Sequence, residues 1–175
     1  MKNPEEIFEL LKSKFAEDVL ELKPAQPLDA MIVVNPLKIK EISNYLCSEE
    51  SLSFDTLMCL SGVDDANGEK VKDGNGIETI NGGTLSIYYH LDSIKLRHKI
   101  TIKISVPRDN PETYSVESIW KCADWHEREA YDLFGIKFLD HPDLRRILLP
   151  DDWDGFPLRK DYQVPEFYLG MKVPY

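Results

Sequence analysis

The sequence has few cysteines and no clustered metal ligands. Its three cysteines, Cys47, Cys59 and Cys122, are far apart, and no CxxC pair occurs. Iron–sulfur clusters and structural zinc ions are held by closely spaced ligand pairs, so buried reduced thiols are the simpler interpretation. We therefore expect no cofactor or metal to be bound by this chain itself.

Long apolar runs and excess positive charge are also absent. No stretch approaches the roughly 20 apolar residues needed to span a bilayer. There are 21 Lys and Arg residues against 31 Asp and Glu residues, so the net charge is −10. Nucleic acids and anionic lipids need a positive surface, so we expect neither nucleic-acid binding nor direct membrane insertion. The first residues, MKNPEEIFELL, indicate an acidic capped helix rather than a signal peptide.

The sequence also contains no HExxH, GxSxG, GxGxxG or P-loop motif. Residues 64–83 are rich in glycine, but no phosphate-binding pattern or following helix accompanies them. We interpret this stretch as a hairpin connection.

Local patterns predict alternating helices and strands. Asn3-Pro4-Glu5-Glu6 combines a side-chain cap, an early proline and early acids, which is typical of a helix start. Asn35-Pro36 repeats this arrangement. The predicted elements are a helix to about Ala16, strands at 19–22 and 30–34, a helix after Pro36, a strand at 54–63 that is ambiguous with a helix, a strand at 85–91, and a turn at 92–93.

The longest alternation runs from Ile94 to Val106. Apolar residues and His98 occupy one face, and mainly Lys, Arg and Thr occupy the other, which predicts a strand with one buried face. His98 is interpreted as a hydrogen-bonded core residue. The basic row could dock an acidic partner, although a solvated strand face is the commoner arrangement.

The last predicted helix begins after a break at Pro107–Pro111. Residues 115–122 begin this helical region, Asp124 is the expected N-cap with Glu127 completing a capping box, and Gly135 is the expected left-handed C-terminal residue. Arg128 and Asp132 are four residues apart, close enough to pair. The element order predicts a two-layer α+β domain over residues 1–134, with a mixed or antiparallel sheet and helices on one face.

Residues 135–175, which we call the C-terminal ribbon, follow no helical or strand period. Proline follows His141, Leu149 and Phe156 and favours extended backbone before it. Each acid has a basic neighbour, and this balance indicates an internal or interfacial ion-pair network, because buried charges need partners. The alternative is an independent acid–base enzyme that uses a cluster of Glu127, Glu129 and His141.

The segment from Trp125 to Tyr162 resembles a known family. Glu127-Arg128-Glu129, Asp132-Leu133-Phe134, His141, Arg145 and Ile147 have the spacing found in the C subunit, or 30 kDa subunit family, of proton-pumping NADH:quinone oxidoreductase, respiratory complex I. The continuation HPDLRRILLPDDW and PLRKDY is also similar to that family.

The resemblance implies the same α+β architecture and a non-redox scaffold subunit. Such a subunit would lie in the peripheral arm, on the cytoplasmic side of the inner membrane. It would brace the large quinone-site subunit and the terminal iron–sulfur subunit, while FMN and iron–sulfur clusters belong to partner subunits. The alternative within this interpretation is a related subunit of a membrane-bound hydrogenase or of a ferredoxin- or F420-linked complex. The expected signature or interface residues are Glu127, Arg128, Glu129, Asp132, His141, Arg145, Arg146, Arg159, Phe167, Tyr168 and Tyr175.

The end of the ribbon, residues 163–175, has seven large apolar residues in thirteen but no regular period. A solvated tail would be polar. We therefore predict an extended arm that becomes ordered on a partner. The alternative is a tail that folds back on its own sheet.

Overall fold

The computed structural model describes residues 1–24, 30–72, 74, 76 and 78–173. The α-helices are α1 (Pro4–Phe15), α2 (Ile39–Ser48) and α3 (Ala123–Phe134). The strands are β1 (Val19–Lys23), β2 (Met31–Val34), β3 (Thr56–Asp64), β4 (Glu69–Lys72), β5 (Glu78–Asn81), β6 (Thr84–Ser93), β7 (His98–Pro107), β8 (Glu112–Tyr114), β9 (Lys137–Leu139), β10 (Phe167–Tyr168) and β11 (Met171–Lys172).

The main sheet is mixed, with strand order β1-β2-β7-β6-β3. Only β2 and β7 are parallel, with Ile32 opposite Ile102, and the other neighbours are antiparallel. Alternate residues of β6 and β7 are buried in one core with the apolar faces of α1 and α2. This confirms the predicted α+β architecture.

The predicted helix starts before α1 and α2 are present. Asn3 accepts a hydrogen bond from the Glu6 N–H at 2.8 Å, and the Glu6 carboxylate accepts one from the Asn3 N–H at 2.8 Å. The Asn35 side chain accepts from the Leu37 N–H at 3.0 Å and begins a 3₁₀ turn that leads into α2. His98 is buried as predicted, with Nε2 2.7 Å from the Leu52 carbonyl oxygen.

Several predicted boundaries are wrong. The strand predicted from Ile94 begins at His98, because residues 94–97 form the turn between β6 and β7. Residues 64–83 join the antiparallel strands β3 and β6, as expected of a hairpin connection, but they also contain the β4–β5 hairpin, which was not predicted. Strands β8 and β9 pair in parallel and were not predicted, because three residues are too few to show a period.

The start of α3 also differs from the prediction. Residues 117–122 form turns, and α3 begins at Ala123 with no side-chain cap, so Asp124 lies inside the helix. The predicted capping box is wrong because the Glu127 carboxylate binds residues 115 and 116 instead. Gly135 does end the helix in the left-handed region, with φ of 75°.

The first residues of the ribbon pack into the core. Ile136 is fully buried and Phe138 is 2% exposed. Beyond β9, the described regular structure of the ribbon is the β10–β11 hairpin. In the part of the chain that the structure describes, no helix has both the length and the apolar character of a membrane span.

Candidate functional site

Asp132 of α3 is the main attachment point of the ribbon. Its fully buried Oδ2 accepts hydrogen bonds from the backbone N–H groups of Ile147, Leu148 and Leu149 at 2.9, 2.7 and 3.1 Å. Burial opposes ionisation, but these donors and Arg146 outweigh it and hold the pKa of Asp132 below its usual value. A charged carboxylate thus satisfies three successive backbone groups that have no strand or helix partner.

Arg146 extends this attachment. Its Nη1 lies 2.9 Å from Asp132 Oδ1, and its Nη2 donates to the carbonyl oxygens of Trp153 and Gly155 at 3.2 Å each. The predicted pair between Arg128 and Asp132 is therefore wrong, because Asp132 is occupied by Arg146 and the ribbon backbone.

Arg159 and Phe156 hold the ribbon against the end of α3. Arg159 Nε donates to the Phe134 carbonyl oxygen at 2.8 Å, and its guanidinium lies 4.8 Å from the Phe156 ring centroid. The Phe156 ring packs directly on Gly135, where an added Cβ would lie 2.5 Å from it. A glycine is therefore required there both by backbone conformation and by space.

A second ionic junction joins the ribbon to the sheet. Arg108 lies between Asp64, at the end of β3, and Asp161 of the ribbon; its Nη1 is 2.5 Å from Asp64 Oδ1. The Lys160 N–H binds Asp64 at 2.7 Å, and the Ile80 N–H of β5 binds Asp161 at 3.0 Å. Burial raises the pKa of Asp64, but Arg108 and the backbone donors outweigh this and lower it below its usual value.

Glu127 anchors the segment between β8 and α3. Its buried carboxylate accepts from Ser115 Oγ at 2.6 Å and from the Val116 N–H at 2.8 Å. Burial raises the pKa of Glu127 to about 7, because two neutral donors do not offset the loss of water. Nearby Glu117 and Asp124 also contribute to this raised pKa.

Arg128 and His141 surround the Asp124 side of α3. Arg128 Nε lies 2.9 Å from Asp124 Oδ1, and its guanidinium lies 4.2 Å from the Trp125 ring centroid. His141 Nδ1 accepts from the Asp143 N–H at 3.1 Å, which assigns the ring proton to Nε2, and Nε2 donates to the Asp124 carbonyl oxygen at 3.2 Å. His141 therefore caps backbone groups of the turn, as its proline-bounded setting predicts.

The acid–base cluster considered from the sequence is divided between two sides of α3. Glu127 and His141 are 3.9 Å apart, and both side chains are fully buried and already hydrogen-bonded. Glu129 is exposed and lies along a different groove, beside His126 and Leu133. The three residues thus do not converge on one surface that a substrate can reach.

The remaining expected interface residues lie on the ribbon. Arg145 is exposed and pairs with Asp143 at 2.9 Å. Tyr168 donates its hydroxyl to Asp152 at 2.8 Å and packs on Trp153 with ring centroids 5.0 Å apart. Phe167 is 59% exposed. Residues 167–172 form the small hairpin rather than an extended arm, and Tyr175 lies outside the described residues.

Sequence reasoning missed Asp64, Arg108 and Ser115 as attachment points. Asp64 is the last residue of β3 and Arg108 follows β7, 44 positions later, so no local spacing connects them. A signal for Arg108 was available, because it directly follows the long strand β7 and is a cation at a strand end. Within the described residues, no group of three or more His, Cys, Asp or Glu side chains is placed to hold a metal ion.

The chain matches the sequence model of one protein family. That family is described as "Respiratory-chain NADH dehydrogenase, 30 Kd subunit", and the match covers residues 32–168. The proteins named as the C subunit of NADH-quinone oxidoreductase in Chloroherpeton thalassium and Chlorobium phaeobacteroides are 42% and 39% identical to it, each over 96% of the chain. The chain spans 64% of the length of the first and 93% of the second.

Two solved structures share the fold. A trypsin-resistant fragment of Nqo5 superposes with a TM-score of 0.57 at 24% identity, over 78% of this chain and 97% of the fragment. A chain of the membrane-bound sulfane sulfur reductase, an archaeal respiratory membrane complex, superposes with a TM-score of 0.61 at 21% identity, over 91% of this chain and 85% of that chain. Because the family match covers most of the sequence and includes α3 and most of the ribbon, which build the site, this chain belongs to the family of the 30 kDa subunit of respiratory-chain NADH dehydrogenase.

Proposed function

We propose that this chain is a non-redox scaffold subunit in the peripheral arm of a complex I-type NADH:quinone oxidoreductase. It braces the large quinone-site subunit and the terminal iron–sulfur subunit while other subunits carry electrons from NADH to quinone. It lies on the cytoplasmic side of the membrane and is attached through the complex. Family membership and the names of its relatives support this proposal.

The observation that carries the proposal is the apolar surface of the ribbon. Six large apolar side chains within 24 residues are about half exposed or more, although the ribbon backbone is held by buried charges. Water-exposed apolar groups at this density are typical of a surface that is covered by a partner. These residues are Leu148, Leu158, Val164, Phe167, Leu169 and Met171.

The proposal is tested by measuring how much complex assembles when Arg128 of α3 is substituted. Arg128→Ala leaves Asp124 without its cation and Trp125 without the guanidinium on its ring. We expect less complex in membranes, with near-normal quinone reduction by each complex that assembles. Lys121→Ala is the matched control, because Lys121 is highly exposed and pairs only with Glu117 in the described structure. Full assembly combined with abolished quinone reduction would instead show a direct role in the reaction.

The absence of a redox centre in this chain is part of the proposal and has its own test. Protein purified under anaerobic conditions is examined by metal analysis and by its visible absorption spectrum. Stoichiometric iron, zinc or flavin would contradict the proposal.

The second candidate is the equivalent subunit of a related membrane complex, such as a hydrogenase or a ferredoxin- or F420-linked complex. A chain of a membrane-bound sulfane sulfur reductase has the same fold, and this similarity supports the second candidate. Genes for NADH-binding subunits next to this one would support the NADH-linked complex, and their absence would favour the second candidate.

A further inference from the structure

Strand β3 is an edge of the main sheet, and the middle of that edge is open. It pairs with β6 on one side only. Its first part is covered by the Cys122 thiol, which lies 3.3 Å from the Leu57 carbonyl oxygen. Its last residue, Asp64, is covered by the ribbon through the Lys160 N–H. Between these points an edge strand presents backbone donors and acceptors that can pair with another chain.

A groove of about 300 Å³ runs along this open part. Four consecutive residues, Cys59 to Gly62, line it together with the Ala130, Leu133 and Phe134 side of α3. Successive strand residues point to opposite faces of a sheet, so one groove lined by all four must lie at the edge itself. Four residues of strand extend roughly 13 Å, which is enough to pair with a short extended segment.

The groove combines an apolar wall with one unpaired carboxylate. Glu129 is exposed at the groove and makes no hydrogen bond or ion pair in the described part of the chain, unlike Asp124 and Asp132 on the same helix. A carboxylate beside apolar surface favours a cation on whatever binds there.

A preorganised aromatic side chain lies next to this carboxylate. Trp125, one helical turn before Glu129, is 62% exposed, and its ring is held by the buried guanidinium of Arg128 at 4.2 Å. Exposed, rigid tryptophan side chains are frequent energetic centres of protein interfaces.

We propose that the groove between β3 and α3 binds an extended segment of another subunit, which adds to the sheet as a strand beside β3 and places a Lys or Arg opposite Glu129. Main-chain hydrogen bonds to Cys59–Gly62 supply affinity in this mode, and the α3 wall and Glu129 supply specificity. The inference rests on the proposed scaffold function, because the segment belongs to a subunit of the same complex.

Hydrogen–deuterium exchange tests strand addition directly. Exchange of residues 57–63 is compared between the free full-length chain and the same chain in the purified complex, with the β4–β5 hairpin as the internal reference. We expect the outward-facing amides of this segment to exchange at least about tenfold more slowly in the complex, because new hydrogen bonds protect them. Unchanged exchange in an assembled complex overturns the inference and leaves the proposed function intact.

Charge reversal tests the role of Glu129. We expect Glu129→Arg to reduce co-purification of the other subunits at least tenfold, and Glu129→Gln to reduce it less. Glu9→Arg is the matched control, because Glu9 is an exposed glutamate of α1 with no partner in the described structure. All three variants should keep the melting temperature of the free chain, and a Lys→Glu or Arg→Glu change in the bound segment should restore binding to Glu129→Arg.

Three outcomes separate this inference from the proposed function. Normal assembly of Glu129→Arg overturns the groove inference alone. Protection of residues 57–63 that rises with the concentration of the free chain would identify a second copy as the occupant and would also overturn it. Failure of the unaltered chain to co-purify with any subunit contradicts the proposed function itself.

Discussion

The sheet domain and the C-terminal ribbon are stabilised by different interactions. Residues of the main sheet and helices satisfy their own backbone hydrogen bonds and bury apolar side chains in one core. Four N–H groups of the ribbon instead donate to carboxylates of the sheet domain, those of residues 147–149 to Asp132 and that of Lys160 to Asp64. A segment with no periodic pattern can therefore be placed by a few buried charges.

The way in which the ribbon is held also explains why it has an exposed apolar surface. Beyond β9 the ribbon is held by hydrogen bonds, ion pairs and the contact of Phe156 with Gly135 rather than by burial of the exposed side chains of Leu148, Leu158, Phe167 and Met171, so these remain available to a partner. Buried charges are costly without their partners, so a small number of them specifies one position strongly. The apolar core distributes its stabilisation over many residues.

The largest loss of stability is expected when Asp132 is substituted. Asp132→Asn keeps the size but removes the charge that faces three backbone N–H groups and Arg146. We expect a loss on the order of 4 kcal/mol in the free energy of unfolding, because a buried cation and two or more donors lose their acceptor. Urea unfolding of the free chain measures it. Asp140→Asn, at an exposed pair with Lys40, should change stability by less than about 1 kcal/mol. Similar losses in both variants would show that charge burial does not hold the ribbon.

The next effect is the pH dependence of stability that Glu127 produces, and this residue anchors the segment between β8 and α3 within the sheet domain. Its pKa of about 7 is above the usual 4.5, so the folded protein retains this proton while the unfolded chain has lost it. The stabilisation by this proton is complete below about pH 4.5, decreases as pH rises towards 7, and is absent above pH 7. The free energy of unfolding falls by about 3 kcal/mol over this range.

Glu127→Gln removes this dependence. The amide can accept from the Val116 N–H and donate to Ser115 Oγ without ionising, so we expect the variant to match the parent near pH 4.5 and to exceed its stability by as much as about 3 kcal/mol at pH 8. The lowered pKa values of Asp64 and Asp132 have the opposite sign, because their stabilisation is lost as pH falls below about 3.8. Equal pH profiles of the variant and the parent between pH 4.5 and 8 would contradict this assignment.

An intermediate loss of stability is expected when Gly135 is substituted. Gly135→Ala places a Cβ at a positive φ and also 2.5 Å from the Phe156 ring. Gly82→Ala has the positive φ but nothing within 4 Å of the added Cβ, so it isolates the backbone cost of about 1 kcal/mol. We expect Gly135→Ala to cost at least about 1 kcal/mol more, measured by thermal unfolding. Equal costs would mean that Phe156 moves away without loss and does not hold the ribbon on α3.

The smallest effect on the free chain is expected from removal of residues 163–175. The described part of this tail touches the rest of the ribbon through Tyr168, at Asp152 and Trp153, and through Gln163, at the Asp161 carbonyl oxygen. Four of its other large apolar residues are at least half exposed. We expect an almost unchanged melting temperature, together with loss of co-purification with the large subunit. A clear fall in melting temperature with intact binding would assign the tail to the core of this chain.

Local chemistry predicted the elements whose signals lie within a few residues. The cap at Asn3, the left-handed Gly135 and the buried face of β7 all follow from spacing and backbone geometry. The prediction of Asp124 as an N-cap is wrong because an Asp followed three residues later by Glu forms a capping box only where the Asp directly precedes the first helical residue. The helix begins one residue earlier, at Ala123. In this chain, Ser115 and the Val116 N–H, more than ten residues away, bind Glu127 instead.

The α+β class, the family and the presence of a charged, proline-punctuated ribbon could all be predicted from the residues, because these depend on periodicity and on motif spacing along the chain. Which charges meet could not be predicted in this way. Arg128 binds Asp124 rather than Asp132, and Arg108 joins Asp64 to Asp161 across 97 residues of sequence. The physical reason is that a buried ion takes whichever partner the folded backbone brings within about 3 Å, and that distance is set by strand order and loop paths rather than by separation along the sequence.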